Sequence, residues 1–131
     1  MKTSMMPPTV YPGPSMIAVY KVVAAGEWRE ACLAGAYSGS PDDRRDGFVH
    51  LSGAHQLAGT LAKHYRGKTD LVLIAFDAKA LGPQLKFEPS RGGELFPHLY
   101  GHLPTHLALW QRPLELGTDG VPALHEDWFL C

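Results

Sequence analysis

Seven consecutive residues, Leu71 to Asp77 (LVLIAFD), constrain the fold more than any other part of the chain. A half-exposed strand alternates apolar and polar side chains, because successive residues face opposite sides of a sheet. Here the apolar run from Leu71 to Phe76 is unbroken, and Asp70 and Asp77 bound it. It reads as a central strand covered on both faces. With 131 residues the chain fits one domain, which at that size buries roughly two thirds of the surface its unfolded form exposes.

The other segments fill in around that strand. Residues 1–15 (MKTSMMPPTVYPGPS) carry four prolines and one lysine, and read as a flexible leader; the single domain spans 16–131. Met16 to Ala24 (MIAVYKVVA) reads as a first strand, and Gly26 to Ala34 as a helix that Gly35 stops as a C-terminal cap. YSGSPDDRRDG collects turn formers and charges and reads as an exposed loop. A helix is predicted over Gly53 to Tyr65, with Leu57, Leu61 and either His64 or Tyr65 along one face and Ser52 as its N-cap. KALG makes a helical turn, QLKFE alternates as a strand, and His106 to Arg112 supplies a last strand. Early helices followed by successive strands make an α+β pattern rather than a doubly wound one.

Composition narrows the partners. Twelve basic side chains against thirteen acidic ones leave a formal net charge of −1, so no broad field favours DNA, RNA or an anionic membrane. The longest apolar run falls far short of the ~20 residues that span a bilayer. Two cysteines, Cys32 and Cys131, are too few for a disulfide framework, and a reducing cytoplasm is the simpler location. The expected partner is a small molecule or a nucleotide.

Two stretches concentrate the chemistry. GFVHLS (Gly47 to Ser52) sets His50 among apolar neighbours, and strand alternation puts Phe48, His50 and Ser52 on one face. A helix N-terminus directly after Ser52 would offer amide donors to an anion such as a phosphate. KFEPSRGGELFPHLYG is the densest polar segment, with Lys86, Glu88, Arg91, Glu94, His98 and Tyr100; it is either a functional loop or a solvated hairpin with a Glu88–Arg91 surface pair. His98, His102 and His106 are spaced by four, but Pro97 and Pro104 keep one helix from carrying all three. HExxH, CxxC, GxSxG, P-loop and GxGxxG patterns are absent, and no dedicated metal site is expected.

In order along the chain, VYKVV, EW, DGFVHLS, HY, DLVLIAFD, FEPSRGGELFPHLYGHLP and LALW resemble a family of small bacterial proteins known as domain of unknown function number 952. The resemblance runs from about Tyr20 to Pro113. That family is in turn similar to the ADP-ribosyltransferase fold, which implies a split, strongly bent sheet with two early helices and a central cleft for NAD. FVHLSGAHQLAGTLAKHY is also similar to the His-Val-His-Leu-Ser segment of transfer-RNA 2′-phosphotransferases. His50 and Ser52 match its second histidine and its serine, and Phe48 stands where those enzymes have the first histidine. Where the family often reads Tyr-His in its first strand, this chain has Tyr20 and Lys21. A charged lysine accepts no hydrogen bond but can pair with a phosphate.

The resemblance implies an NAD-dependent ADP-ribosyl or related transferase, with His50 and Glu88 as its catalytic residues. His50 and Ser52 would lie at the ribose, Tyr65 would stack on nicotinamide, Lys21 or Arg91 would hold phosphate, and Tyr20, His98 and Tyr100 would complete the cleft. The charge balance does not favour carrying over the RNA substrate. Two other readings stand beside this one. The same cleft would serve a non-catalytic binder of a nucleotide or small anionic metabolite, or an enzyme of another class with His50 or His98 as general acid or base.

Overall fold

The computed structural model describes residues 17–129. The leader over 1–15, the domain start at Met16 and Cys131 lie outside the described residues. The expected central strand is β4 (Leu71–Asp77), which pairs antiparallel with β1 (Ala18–Ala24) on one side and β8 (Ala108–Leu114) on the other. Alternation accounts for its unbroken apolar run. Ile74 and Phe76 enter one core, while Leu71, Leu73 and Ala75 enter another on the opposite face.

The first core is closed by Trp28 and Ala31 of α1 (Ala25–Ala34) and by Tyr37 of β2 (Ala36–Tyr37). The second is closed by Leu57 and Leu61 of an eight-residue helix, Leu57–His64, together with Tyr20 and Leu114. Gly35 ends α1 as expected, at φ 94°, and its amide donates to the Ala31 carbonyl at 2.8 Å. In that left-handed conformation a side chain would strain the backbone. Pro113 is accommodated in β8 because that strand is an edge, where a missing N–H costs no ladder bond.

Beside the large sheet stands a small one. Its order is β3 (Val49–His50), then β6 (Leu95–Leu99), then β5 (Leu85–Pro89), all antiparallel. β2 pairs separately with β7 (Leu103–Pro104). The chain after β3 joins the two larger sheets, because Ser52 exchanges backbone hydrogen bonds of 2.8 and 2.9 Å with Tyr20 of β1. The fold is a mixed α+β arrangement with open antiparallel sheets.

The structure departs from the sequence reading in four places. The supposed loop YSGSPDDRRDG contains α2 (Pro41–Asp46), started by a capping box in which Ser40 Oγ accepts from the Asp43 amide and the Asp43 carboxylate accepts from the Ser40 amide. Of the two readings of KFEPSRGGELFPHLYG the hairpin holds, since FPHLYG supplies β6, which pairs with β5, but Phe96 and His98 are buried rather than solvated. The helix expected from Gly53 opens as a 3₁₀ turn, Ala54–Gln56, and becomes the helix α3 at Leu57, with Tyr65 rather than exposed His64 packed on its core. Ser52 is not its N-cap. Its hydroxyl bonds Thr60 Oγ1 at 3.0 Å, while the Gly53 amide donates to Gln56 Oε1 at 2.8 Å. The Gln56 side chain thus takes the first amide donor of the turn. α4 (Ala78–Leu81) is the short helical turn after β4.

Candidate functional site

Register in the small sheet sorts its side chains into two faces. His50 lies opposite His98, and Lys86 also lies opposite His98, so these share one side with Glu88, Phe96 and Tyr100. Val49 and Leu99 point the other way into the first core, with Leu85 packed against it. The small sheet is apolar on one face and chemically dense on the other.

Asp43 is the hub behind His50. It is 2% exposed, and His50 Nδ1 approaches one carboxylate oxygen at 2.6 Å while the His50 amide donates to that same atom at 3.0 Å. Lys21 Nζ lies 3.0 Å from the other oxygen and donates to the His50 carbonyl at 2.9 Å. Burial opposes ionisation of Asp43, but the His50 hydrogen bond and the Lys21 charge outweigh it and hold the carboxyl well below the usual carboxylate range. Burial pulls the Lys21 ammonium below its ordinary value, and the Asp43 charge pulls part of the way back. Lys21 is only 5% exposed because it sits on β1 between Val19 and Val23, facing the first core. Gly39 lets this hub close: at φ 112°, a Cβ there would stand 2.8 Å from the Asp43 Cβ.

His50 also faces a second carboxylate. Its Nε2 lies 3.0 Å from Asp46 Oδ2, one turn further along α2, and its side chain is 35% exposed. Carboxylates on both ring nitrogens fix the ring's plane and leave its outer rim open to solvent.

His98 is built differently. It is 4% exposed, and Nδ1 lies 2.8 Å from Glu88 Oε1, which also accepts from the Tyr100 hydroxyl at 2.7 Å. Those two hydrogen bonds, that of Tyr100 first, hold the Glu88 carboxyl below its ordinary range. Among the described residues His98 Nε2 is buried with no hydrogen-bond partner. When Nδ1 of the neutral ring gives its proton to the Glu88 hydrogen bond, Nε2 keeps a lone pair. The Phe48 ring stacks on His98 with centroids 4.0 Å apart and an interplanar angle of 23°. The His50 and His98 centroids are 5.7 Å apart, edge to face.

Of the residues singled out from the sequence, His50, Glu88, His98 and Tyr100 therefore meet on one face. Lys86 shares that face by register, while Tyr20, Lys21, Ser52 and Tyr65 are engaged elsewhere. Tyr20 turns to the far side of β1, where its ring packs 5.4 Å from Phe129 and 5.9 Å from Trp110. Ser52 is committed to Tyr20 and Thr60 as described, and Lys21 to Asp43. Tyr65 packs on the second core with its hydroxyl 3.5 Å from the Val22 carbonyl, and burial, then the nearby Asp43 charge, pushes its phenol up to about 12. Arg91 lies over the Phe96 ring at 4.8 Å, so it does not pair with Glu88.

Asp43, Asp46 and Phe48 were missed as site residues. The signal for the first was present in Ser40-Pro41-Asp42-Asp43, a capping box with proline at the first helical position. A hollow of about 240 Å³ lies elsewhere, between Ile17, Ala78, Lys79, Gly82, Leu85 and Phe87. Leu85 and Phe87 alternate with Lys86 and Glu88, so it opens on the opposite side of β5 from the histidines. Among the described residues no group of three or more His, Cys, Asp or Glu side chains converges to hold a metal ion, and no helix is long and apolar enough to cross a membrane.

A family model described as protein of unknown function (DUF952) matches residues 22–110. The crystal structure of protein CC0527 from Caulobacter crescentus is similar at 43% identity and TM-score 0.83, covering 86% of this chain and 99% of that one. The solution structure of CC0527 is similar at 45% identity and TM-score 0.73, covering 80% of this chain and 90% of that one. No curated protein matches the sequence.

Proposed function

Because this chain belongs to the family described as protein of unknown function (DUF952), we propose a function from the site itself: an enzyme that moves a proton on a small polar substrate lying across His50 and His98. The observation that carries the reading is the pairing of two adjacent imidazoles, each with its own carboxylate on Nδ1. Carboxylates placed so orient imidazoles for acid and base work.

The two roles follow from the second nitrogens. His98 Nε2 carries a lone pair and takes a proton from a substrate hydroxyl, amine or water. His50 Nε2, facing Asp46, hands a proton to the departing or newly charged oxygen or nitrogen. Solvent reprotonates His50 at its open rim, and His98 gives up its proton from Nε2 to water as the product leaves, which restores both rings. Acid–base assistance of this kind contributes about 10²–10⁴-fold to a rate.

NAD-dependent ADP-ribosyl transfer is the narrower form of this reading. Its support is that Glu88, the carboxylate chosen for that chemistry, lies on one face with His50. The residues expected to hold the dinucleotide fit less well, since Tyr20, Lys21, Ser52 and Tyr65 are engaged inside the fold. A non-catalytic nucleotide binder would leave the two oriented imidazoles without a purpose.

A thermal-shift panel of NAD, ADP-ribose, AMP and small phosphorylated or hydroxylated metabolites tests the reading on wild type, His50→Ala and His98→Asn. A compound at a hundred times its dissociation constant adds about 2.7 kcal/mol to stability. Stabilisation in the wild type that both variants lose supports the site, and turnover of that compound is then followed. Stabilisation that survives both substitutions moves the site elsewhere. Nicotinamide release from NAD that stops in His50→Ala and Glu88→Gln selects the ADP-ribosyl form.

A further inference from the structure

Phe48 is misplaced for a core residue. It follows Gly47, at the end of α2, and its ring joins neither apolar core but turns to the polar face of the small sheet. There three rings surround it, with centroids at 4.0 Å for His98, 4.6 Å for His50 and 5.3 Å for Tyr100. Directly beneath, His98 Nε2 is buried without a partner, which in a folded protein calls for a ligand or an explanation.

Resting on the acid–base reading above, we propose that Phe48 occupies, from within the chain, a slot for the planar ring of the substrate. The substrate class is then a flat heteroaromatic molecule with an N–H or O–H at its rim. Its ring takes the place of Phe48 beside His98, tilted so that a rim N–H or O–H enters the imidazole plane and gives Nε2 the donor it lacks. Stacking favours a flat partner over a sugar or an aliphatic chain.

The gate needs no backbone motion. The Phe48 amide donates to the Asp43 carbonyl at 3.2 Å, which fixes the main chain at the end of α2. On this proposal, rotation about the side-chain bonds of half-buried Phe48 clears the slot. The apparent affinity for a ring is then reduced by the fraction of molecules in which Phe48 has swung out. Removing the Phe48 ring removes that penalty.

Nicotinamide and adenine are the probes, with ribose 5-phosphate as a non-aromatic control, titrated by imidazole ¹H–¹⁵N NMR into wild type, Phe48→Ala and Phe48→Leu. Phe48→Ala should bind at least one of the two rings about tenfold more tightly than wild type, with the His98 Nε2 resonance moving. Phe48→Leu keeps an apolar side chain at the position and should show a smaller gain in the same direction; it carries the test if Phe48→Ala does not fold. Adding His98→Asn should abolish the gain. Equal affinities in wild type and both variants would overturn the proposal, as would a gain that survives His98→Asn or ribose 5-phosphate binding as tightly as the rings. The neutral tautomer of His98, on which the acid–base reading rests, is read from the ligand-free spectra, so the two ideas fail separately.

Discussion

β4 and β6 are both central strands with buried side chains, yet they were built to different rules. On β4 each face meets an apolar core, and Leu71 to Phe76 contain no side-chain hydrogen-bonding group. On β6, Leu99 enters a core while His98, one residue earlier, is buried on the opposite face with one ring nitrogen satisfied and the other not. An unmet polar group in an apolar setting costs about 1–3 kcal/mol. A fold needing only stability gains nothing from such a group, and this contrast is what motivates the proposed site.

Substitution should reveal the same contrast. The largest effect is expected in the scaffold: Phe76→Ala should destabilise by about 3–5 kcal/mol, from lost transfer energy and the cavity left behind. In urea unfolding the midpoint should fall by that loss divided by the m-value, with the m-value unchanged. A loss under 1 kcal/mol would mean that the core on this face of β4 collapses to fill the gap.

Next comes the hub that joins scaffold to site. Lys21→Met strands the buried Asp43 carboxylate without its ammonium partner, and should cost about 3 kcal/mol. Replacing both, as Lys21→Met with Asp43→Leu, should cost less than the two single changes added together. Strict additivity in the double-mutant cycle would deny the pair any coupling.

The acid limb of stability is a smaller effect with a definite sign. Because Asp43 has a folded-state pKa below its unfolded one, its ionisation stabilises the protein at every pH above the ordinary aspartate value. That contribution is lost as pH falls through the folded value, well under the usual carboxylate range. Asp43→Asn should therefore be less stable at neutral pH and lose less on acidification. Parallel pH–stability curves for wild type and variant would contradict the assignment. Smallest of all is Tyr100→Phe. The exposed hydroxyl contributes a hydrogen bond to Glu88, so stability should barely change while the His98 ring resonances shift.

How much of this could be read in the sequence differs between the two regions for a physical reason. LVLIAFD announced a central two-faced strand because burial is its whole content, and α1 with its Gly35 cap was legible from short-range chemistry. FPHLYG was harder: proline, glycine and polar side chains suggest a loop, and its strand exists because β3 and β5 flank it, which depends on contacts remote in sequence. His50, Glu88, His98 and Tyr100 were found by residue type and resemblance, yet what orients His50 was not. Asp43 sits in a charged run, PDDRRD, where composition points to solvent, and only the capping box of Ser40 turns it inward. Tyr20, Ser52 and Tyr65 were assigned to the site through resemblance, and the pleat of β1 and the packing of α3 turn them towards other partners.

On the acid–base reading, the polar face of the small sheet holds His98 as a base in waiting, its proton on the Glu88 side and its Nε2 bare. A long-range ¹H–¹⁵N spectrum of the imidazoles in the ligand-free protein, at a pH where the rings are neutral, reads this directly. The account expects His98 as the Nδ1–H tautomer, changing in Glu88→Gln. A neutral His98 with its proton on Nε2 would contradict it, because the lone pair would then face the carboxylate and no base would be left for a substrate.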